Sequence, residues 1–242
     1  MTLKLESLAR PRTHELVVEK LREEIFAGRL TAGDRLPGER QLSEMLDVSR
    51  PSVREALRML QAQEIIESHP GTGPRSGLIV TTNPGRALRE LISIHVALNS
   101  YSRQDLAQAR LALEEQALRM LCDKPEASNE GLLEQSSELV AAMDQPDLTP
   151  EQFHAIDTDF HISLVSATES RLLIDLMLAL REAVRVRLLA SYAERPDWED
   201  YVRRLYVEHK SILDAVKERD AERAVQEIRH HLADSGKRLD EE

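Results

Sequence analysis

One segment between Asp34 and Leu60, DRLPGERQLSEMLDVSRPSVREALRML, constrains the fold more than any other, because its spacing describes two short helices meeting at a tight turn. Leu42 and Leu46 repeat on one face of the first helix, and the turn falls at Asp47-Val48. Ser49 stands as an N-cap and Pro51 in the first turn, where a missing N–H costs nothing. Val53, Leu57 and Leu60 then form a buried stripe on the second helix, which also carries Arg50, Arg54 and Arg58 at i, i+4, i+8. This is the sequence form of a helix-turn-helix. Ser49, Arg50, Ser52 and Arg54 sit near the outward N-terminal side of the second helix, the part that reaches base edges in a major groove. The expected partner is double-stranded DNA.

Downstream, Ile65-Ile66-Glu67-Ser68 and Leu78-Ile79-Val80-Thr81 are β-type runs separated by HPGTGPRSG, which predicts a hairpin wing. Gly71, Gly73 and Gly77 would leave backbone N–H groups free to approach a phosphate closely, Gly71, Thr72 and Gly73 would form the wing contact, and Arg75 would add a charge to backbone or minor groove. An opening helix from about His14 to Ala27, with Val17, Leu21 and Ile25 inward and Gly28 as its stop, completes the unit. The run PGERQLSEMLDVSRPSVREALRMLQAQEIIE resembles the winged helix-turn-helix of the GntR family of bacterial transcription regulators, over roughly residues 10 to 82. That resemblance implies operator binding as a homodimer. Arg50 and Arg54 are expected on base edges, Arg40 and Ser49 on phosphate or neighbouring bases.

A net charge of −11 would repel DNA, but it is unevenly spread. Residues 1–86 carry 13 Lys+Arg against 12 Asp+Glu, and residues 87–242 carry 19 against 31. The reading head is thus near neutral and depends on placed arginines and on dimerisation. Aromatic residues at 3% argue against base stacking on single strands. With no membrane-length apolar run, no secretory-type leader and a single cysteine, Cys122, read as a core hydrophobe, a cytoplasmic protein without a membrane partner is expected.

The expected fold class is mainly α: a winged helix-turn-helix domain over residues 1–82, a linker at 83–86, and an antiparallel bundle of about seven helices over 87–242. The bundle helices are predicted at 86–99, 103–122, 128–144, 150–166, 170–194, 198–218 and 221–238. Ser102 with Asp105, and Thr149 with Pro150 and Gln152, have capping-box spacing.

Several ionisable residues fall on faces that should be dry. In PEQFHAIDTDFHISLV, Asp157 and His161 share the side of Phe153, Ile156, Phe160 and Leu164, one turn apart. His209 lies among Val202, Leu205, Ile212, Leu213 and Val216; His231 lies with Ala224, Ile228 and Leu232, while His230 faces water. His209 and His231 are equidistant from a chain reversal near Arg219-Asp220, so an antiparallel hairpin brings them level, each about 16 Å from the turn at 1.5 Å per residue. Each histidine alone reads more simply as a hydrogen-bonded core residue. Together with Asp157 they form a plausible N/O shell for a divalent metal, zinc first, with manganese or nickel as alternatives. His154 is close in phase to this set but carries little weight.

Residues 87 to 238 also resemble the all-helical FCD effector domain of the FadR-type branch of that family, and Asp157, His161, His209 and His231 stand where many members place metal ligands. RLALEEQA resembles the family's Arg-bearing cavity helix. Arg110 and Glu114 can be read as an i, i+4 ion pair or, for Arg110, as the grip on a ligand carboxylate; Arg181 and Arg185 are further cationic candidates. The resemblance implies a small organic (hydroxy)carboxylate effector that completes the coordination of the ion, and a repressor that loosens from its operator. Metal as the signal itself is the alternative, and a metal-dependent hydrolase the less favoured one. HExxH, nucleophile-elbow, P-loop and Rossmann patterns are all missing, so no catalytic residue is assigned and no enzyme is expected.

Overall fold

In the computed structural model, residues 12–69, 77–83 and 85–237 are described. The chain divides into two units, Met1–Ala87 and Leu88–Glu242. The first contains α1 (Thr13–Phe26), α2 (Glu39–Leu46), α3 (Arg50–Ala62), β1 (Ile66–His69) and β2 (Gly77–Val80). α1 stops because Gly28 takes φ +69°, which turns the chain so that the Arg29 N–H reaches the Glu24 carbonyl at 2.9 Å. Between α2 and α3 the turn is made by Asp47 in the left-handed region, φ 51°, which a short polar side chain tolerates. Ser49 caps α3, its hydroxyl accepting from the Ser52 N–H at 3.3 Å, and Pro51 occupies the first turn. Val17, Val18, Leu21, Leu42, Val53, Ala56, Leu57 and Leu60 close the core against Ile66 and Val80.

β1 and β2 pair antiparallel with Ile66 opposite Val80 and His69 opposite Gly77, each strand one residue off the predicted runs. The wing has a third edge that periodicity did not predict. Arg35 bridges to Ile79, with the Leu36 N–H donating to Leu78 O and the Val80 N–H to Asp34 O, both at 2.9 Å. The segment before α2 is too short to alternate visibly, so its strand character comes from its neighbour.

Next come α4 (Gly85–Ala97), α5 (Arg103–Asp123), α6 (Glu126–Met143), α7 (Pro150–Ser166), α8 (Arg171–Ala193), α9 (Trp198–Lys217) and α10 (Ala221–Lys237). These are the seven expected bundle helices, within about two residues at each end. Both capping boxes form: the Asp105 N–H donates to Ser102 Oγ at 3.1 Å and the Gln152 N–H to Thr149 Oγ1 at 3.3 Å, each returned from the cap backbone. Where glycine might reverse the chain, Asn99, Asp147, Glu169 and Arg219 adopt φ between 54° and 60° instead. α10 packs along α5 and α9, and α7 packs against α5, α6 and α8. Phe153, Phe160, Leu164, Leu118, Met143, Ile212 and Ile228 are fully buried at the centre, and Cys122 lies in the same core. Among the described residues no helix is long and apolar enough to cross a membrane.

Candidate functional site

Each unit carries its own candidate site. On α3, Arg50, Arg54 and Arg58 all face outward while Val53, Ala56, Leu57 and Leu60 face inward, as 3.6-residue phasing requires. Ser49 and Ser52 share a hydroxyl contact of 2.9 Å at the helix start. Arg54 is held by Glu39 of α2: its Nε lies 3.1 Å from both carboxylate oxygens and its Nη2 2.8 Å from Oε2. This bonding keeps the Glu39 carboxyl below its ordinary range. Sequence spacing missed Glu39 because the pair spans fifteen residues and two helices. Arg40 lies 3.7 Å from Glu44, with both side chains mostly in solvent. Gly71, Thr72, Gly73 and Arg75 lie outside the described residues.

In the bundle, four helices bring Asp157 and His161 (α7), His209 (α9) and His231 (α10) against Glu114 of α5. One donor atom from each of Asp157, His161, His209 and His231 lies within 4.8 Å of the others, and all four residues are buried. Asp157 Oδ1 is 2.9 Å from His209 Nε2 and 3.5 Å from His161 Nε2, and the two Nε2 atoms are 3.4 Å apart. The rings of His209 and His231 are 4.5 Å apart between centroids, as the levelled hairpin requires.

The partners of the opposite ring nitrogens decide what this cluster can hold. His161 Nδ1 lies 2.5 Å from Glu114 Oε2, His209 Nδ1 2.7 Å from the Leu205 carbonyl, and His231 Nδ1 2.8 Å from Glu208 Oε2. Carboxylate and carbonyl oxygens only accept, so all three Nδ1 atoms must donate. Each neutral imidazole therefore keeps its lone pair on Nε2. Three nitrogen lone pairs and a carboxylate oxygen gathered in one dry spot repel one another unless a cation lies among them. Three nitrogens and one oxygen, each histidine fixed by an outer acceptor, suit a divalent transition metal.

The electrostatics run the same way. Burial favours the neutral acid of Asp157, but the Arg181 guanidinium beside it outweighs this and holds the carboxyl well below its ordinary value. Burial likewise pushes Glu114 up, yet His161 and Arg110 bring it down to about 2. Burial lowers His231 to about 4, which keeps it neutral and available as a donor at pH 7.

The sequence-predicted ligand residues separate in space. Arg110 donates to Glu114 Oε1 from Nε at 3.3 Å and from Nη2 at 3.2 Å, so the ion-pair reading of these two residues is the one observed. Through Glu114 the pair also fixes His161. Arg181 donates to the Asp157 carboxylate and, at 3.0 Å and 3.2 Å, to Thr158 Oγ1. Arg185 is partly exposed and lies 3.0 Å from Glu182. Sequence reasoning missed Glu208 as the His231 acceptor, although it immediately precedes His209.

The fold agrees with the comparisons to known proteins. Residues 13–75 match the family described as "Bacterial regulatory proteins, gntR family", and residues 105–234 match the FCD domain. The chain is similar to the HTH-type transcriptional regulator BphR of Paraburkholderia xenovorans, 30% identical over 91% of this chain and 82% of that one. It resembles an Uxu operon regulator of Haemophilus influenzae, 29% identical over 91% of this chain and 79% of the relative. It also resembles the HTH-type transcriptional repressor NanR of Cronobacter sakazakii, 28% identical over 93% and 84%. Among solved structures, a GntR protein of Streptococcus agalactiae shares the fold at TM-score 0.59 and 19% identity, covering 93% of this chain and 99% of that one. Its relatives are regulators rather than enzymes, and the chain belongs to the gntR family of bacterial regulatory proteins, as a DNA-binding transcription regulator with an FCD effector domain.

Proposed function

We propose that this regulator is a homodimeric, metabolite-responsive repressor whose bundle holds one divalent metal on Asp157, His161, His209 and His231 and answers to a small organic (hydroxy)carboxylate. The observation that carries the reading is the convergence of three imidazoles whose Nδ1 atoms are all committed to acceptors, so that their lone pairs meet Asp157 in one buried place. Zinc is the first choice for such a set, with manganese and nickel next. A bound ion would supply positive charge and Lewis acidity to this cluster. Glu114, the Leu205 carbonyl and Glu208 orient the imidazoles, and Arg110 holds Glu114 in its charged form.

At the operator, Arg50 and Arg54 read base edges, while Arg40, Ser49 and Ser52 and the wing residues Gly71, Thr72, Gly73 and Arg75 serve backbone and neighbouring contacts. Glu39 sets the angle at which Arg54 projects. Effector binding shifts the population toward a bundle arrangement that separates the paired reading heads. Native mass spectrometry of the purified protein tests the metal: one ion per chain, lost when His209 and His231 are both replaced by alanine, is expected. Operator footprinting with and without candidate acids tests regulation. A protein that purifies with no metal and retains operator regardless of any acid overturns the sensing half.

A further inference from the structure

The two carboxylate oxygens of Asp157 are divided between different neighbours. Oδ1 turns to the imidazoles, 2.9 Å from His209 Nε2 and 3.5 Å from His161 Nε2. Oδ2 accepts from Nη2 of Arg181, on α8. Holding a cation does not by itself call for this arginine, which offers no lone pair and whose charge opposes a metal. Yet Arg181 is 2% exposed and pinned in place. Thr158, the neighbour of Asp157 on α7, accepts at Oγ1 from Arg181 Nη2 at 3.0 Å and from Nε at 3.2 Å. The guanidinium is thus fixed across both residues, and Asp157 cannot turn Oδ2 toward the rings without leaving a buried cation unanswered. The terminal torsion of an aspartate is otherwise soft, so Arg181 is what limits the carboxylate to one oxygen on the cluster side.

We infer that Arg181 is a positioning residue that sets which metal the cluster prefers: by keeping Asp157 Oδ2 for itself, it admits an ion satisfied by three imidazole nitrogens and one carboxylate oxygen and handicaps an ion that needs both oxygens. Zinc belongs to the first kind. Manganese, which is suited by carboxylate oxygen more than by imidazole, belongs to the second. The charge on Arg181 repels every divalent ion alike, so it cancels when two metals are compared. The oxygen that Arg181 withholds does not cancel. Arg181 thereby serves the metal, a task distinct from the grip on an effector carboxylate expected from the sequence. This inference rests on the metal reading above, and the test separates the two.

Full-length wild-type protein and Arg181→Met are stripped with a chelator and titrated with zinc, manganese and cobalt ions, zinc against a chromophoric chelator and manganese by the paramagnetic resonance of the free ion. The zinc-to-manganese affinity ratio should be lower in Arg181→Met than in wild type by about tenfold or more, the scale on which an outer partner of a ligand acts, whatever happens to either affinity alone. At full occupancy the visible absorption of bound cobalt should weaken in the variant, as a second Asp157 oxygen joins the ion. Where Arg181→Met fails to fold, Thr158→Val decides, since Thr158 is only half-buried. That variant removes the acceptor that pins the guanidinium and should shift the ratio the same way by about threefold or more, the worth of a neutral hydrogen bond. A smaller change in the ratio, a shift toward zinc, or a cobalt spectrum identical to that of wild type overturns the inference and leaves the metal proposal standing. Wild-type protein that takes up none of the three ions is the failure of that proposal, and the inference falls with it.

Discussion

Replacing Glu114 by glutamine removes a buried negative charge at the junction of α5, α7 and the histidine cluster while keeping the side-chain shape. Glu114 is 0% exposed and serves two partners at once, Arg110 on Oε1 and His161 Nδ1 on Oε2. Both partners are donors. A glutamine offers one acceptor oxygen and one donor NH2, so whichever way the amide is turned, an N–H faces either the Arg110 guanidinium or the His161 Nδ1–H. The charge-assisted bond that survives becomes a neutral one, and Arg110, whose side chain is 12% exposed, is left without its counter-charge. Breaking a buried pair in this way costs about 3–5 kcal/mol. For a unit of this size each kcal/mol moves Tm by about 2–4 °C, so the bundle transition should fall by roughly 6–20 °C in differential scanning calorimetry at pH 7. Losing the carboxylate that orients His161 should also weaken metal binding by about 10–100-fold, read by competition with a chromophoric chelator. A Tm within 2 °C of wild type together with unchanged metal affinity would refute the role given to Glu114, because it would mean that neither Arg110 nor His161 depends on its charge.

Arg54→Ala should relax operator choice and cost about 1–3 kcal/mol of specific binding; identical selectivity for operator and scrambled duplex in a fluorescence titration would remove Arg54 from base contact. Dialysis against a chelator should lower the bundle transition, by up to about 4 kcal/mol if the metal is normally present at a thousand times its dissociation constant, and an unchanged thermogram would count against a metal at the cluster. In the chelated protein, acid should destabilise the fold through His231 and His154. Burial lowers both from 6.5 to about 4, so the unfolded chain takes up protons first; their contribution is complete above pH 6.5 and is lost as pH falls through about 4. Each is worth at most about 3 kcal/mol, and urea unfolding at pH 7.5, 5.5 and 4.5 should show that decline; a flat profile across this window would contradict it.

What the chain determined by itself is whatever a helix decides locally. Capping boxes at Ser102 and Thr149, the stop at Gly28 and the N-cap at Ser49 act over three or four residues, so their outcome is readable from spacing. The same 3.6-residue phase assigned Asp157, His161, His209 and His231 to inward faces, and the turn at Arg219 put the last two level. Phase names a face, however, and not the neighbour that the face meets. Only the packed bundle decided that Glu114 answers His161 as well as Arg110, that Arg181 is turned onto Asp157, and that Glu208 accepts from His231. His154 shows the limit most clearly: its phase resembles that of its neighbours, yet it faces a cavity between α7 and α8 that exists only once those helices lie side by side. The Arg35–Ile79 bridge and the Glu39–Arg54 pair belong to the same class, because each joins residues far apart in the chain whose approach is set by the core beneath them.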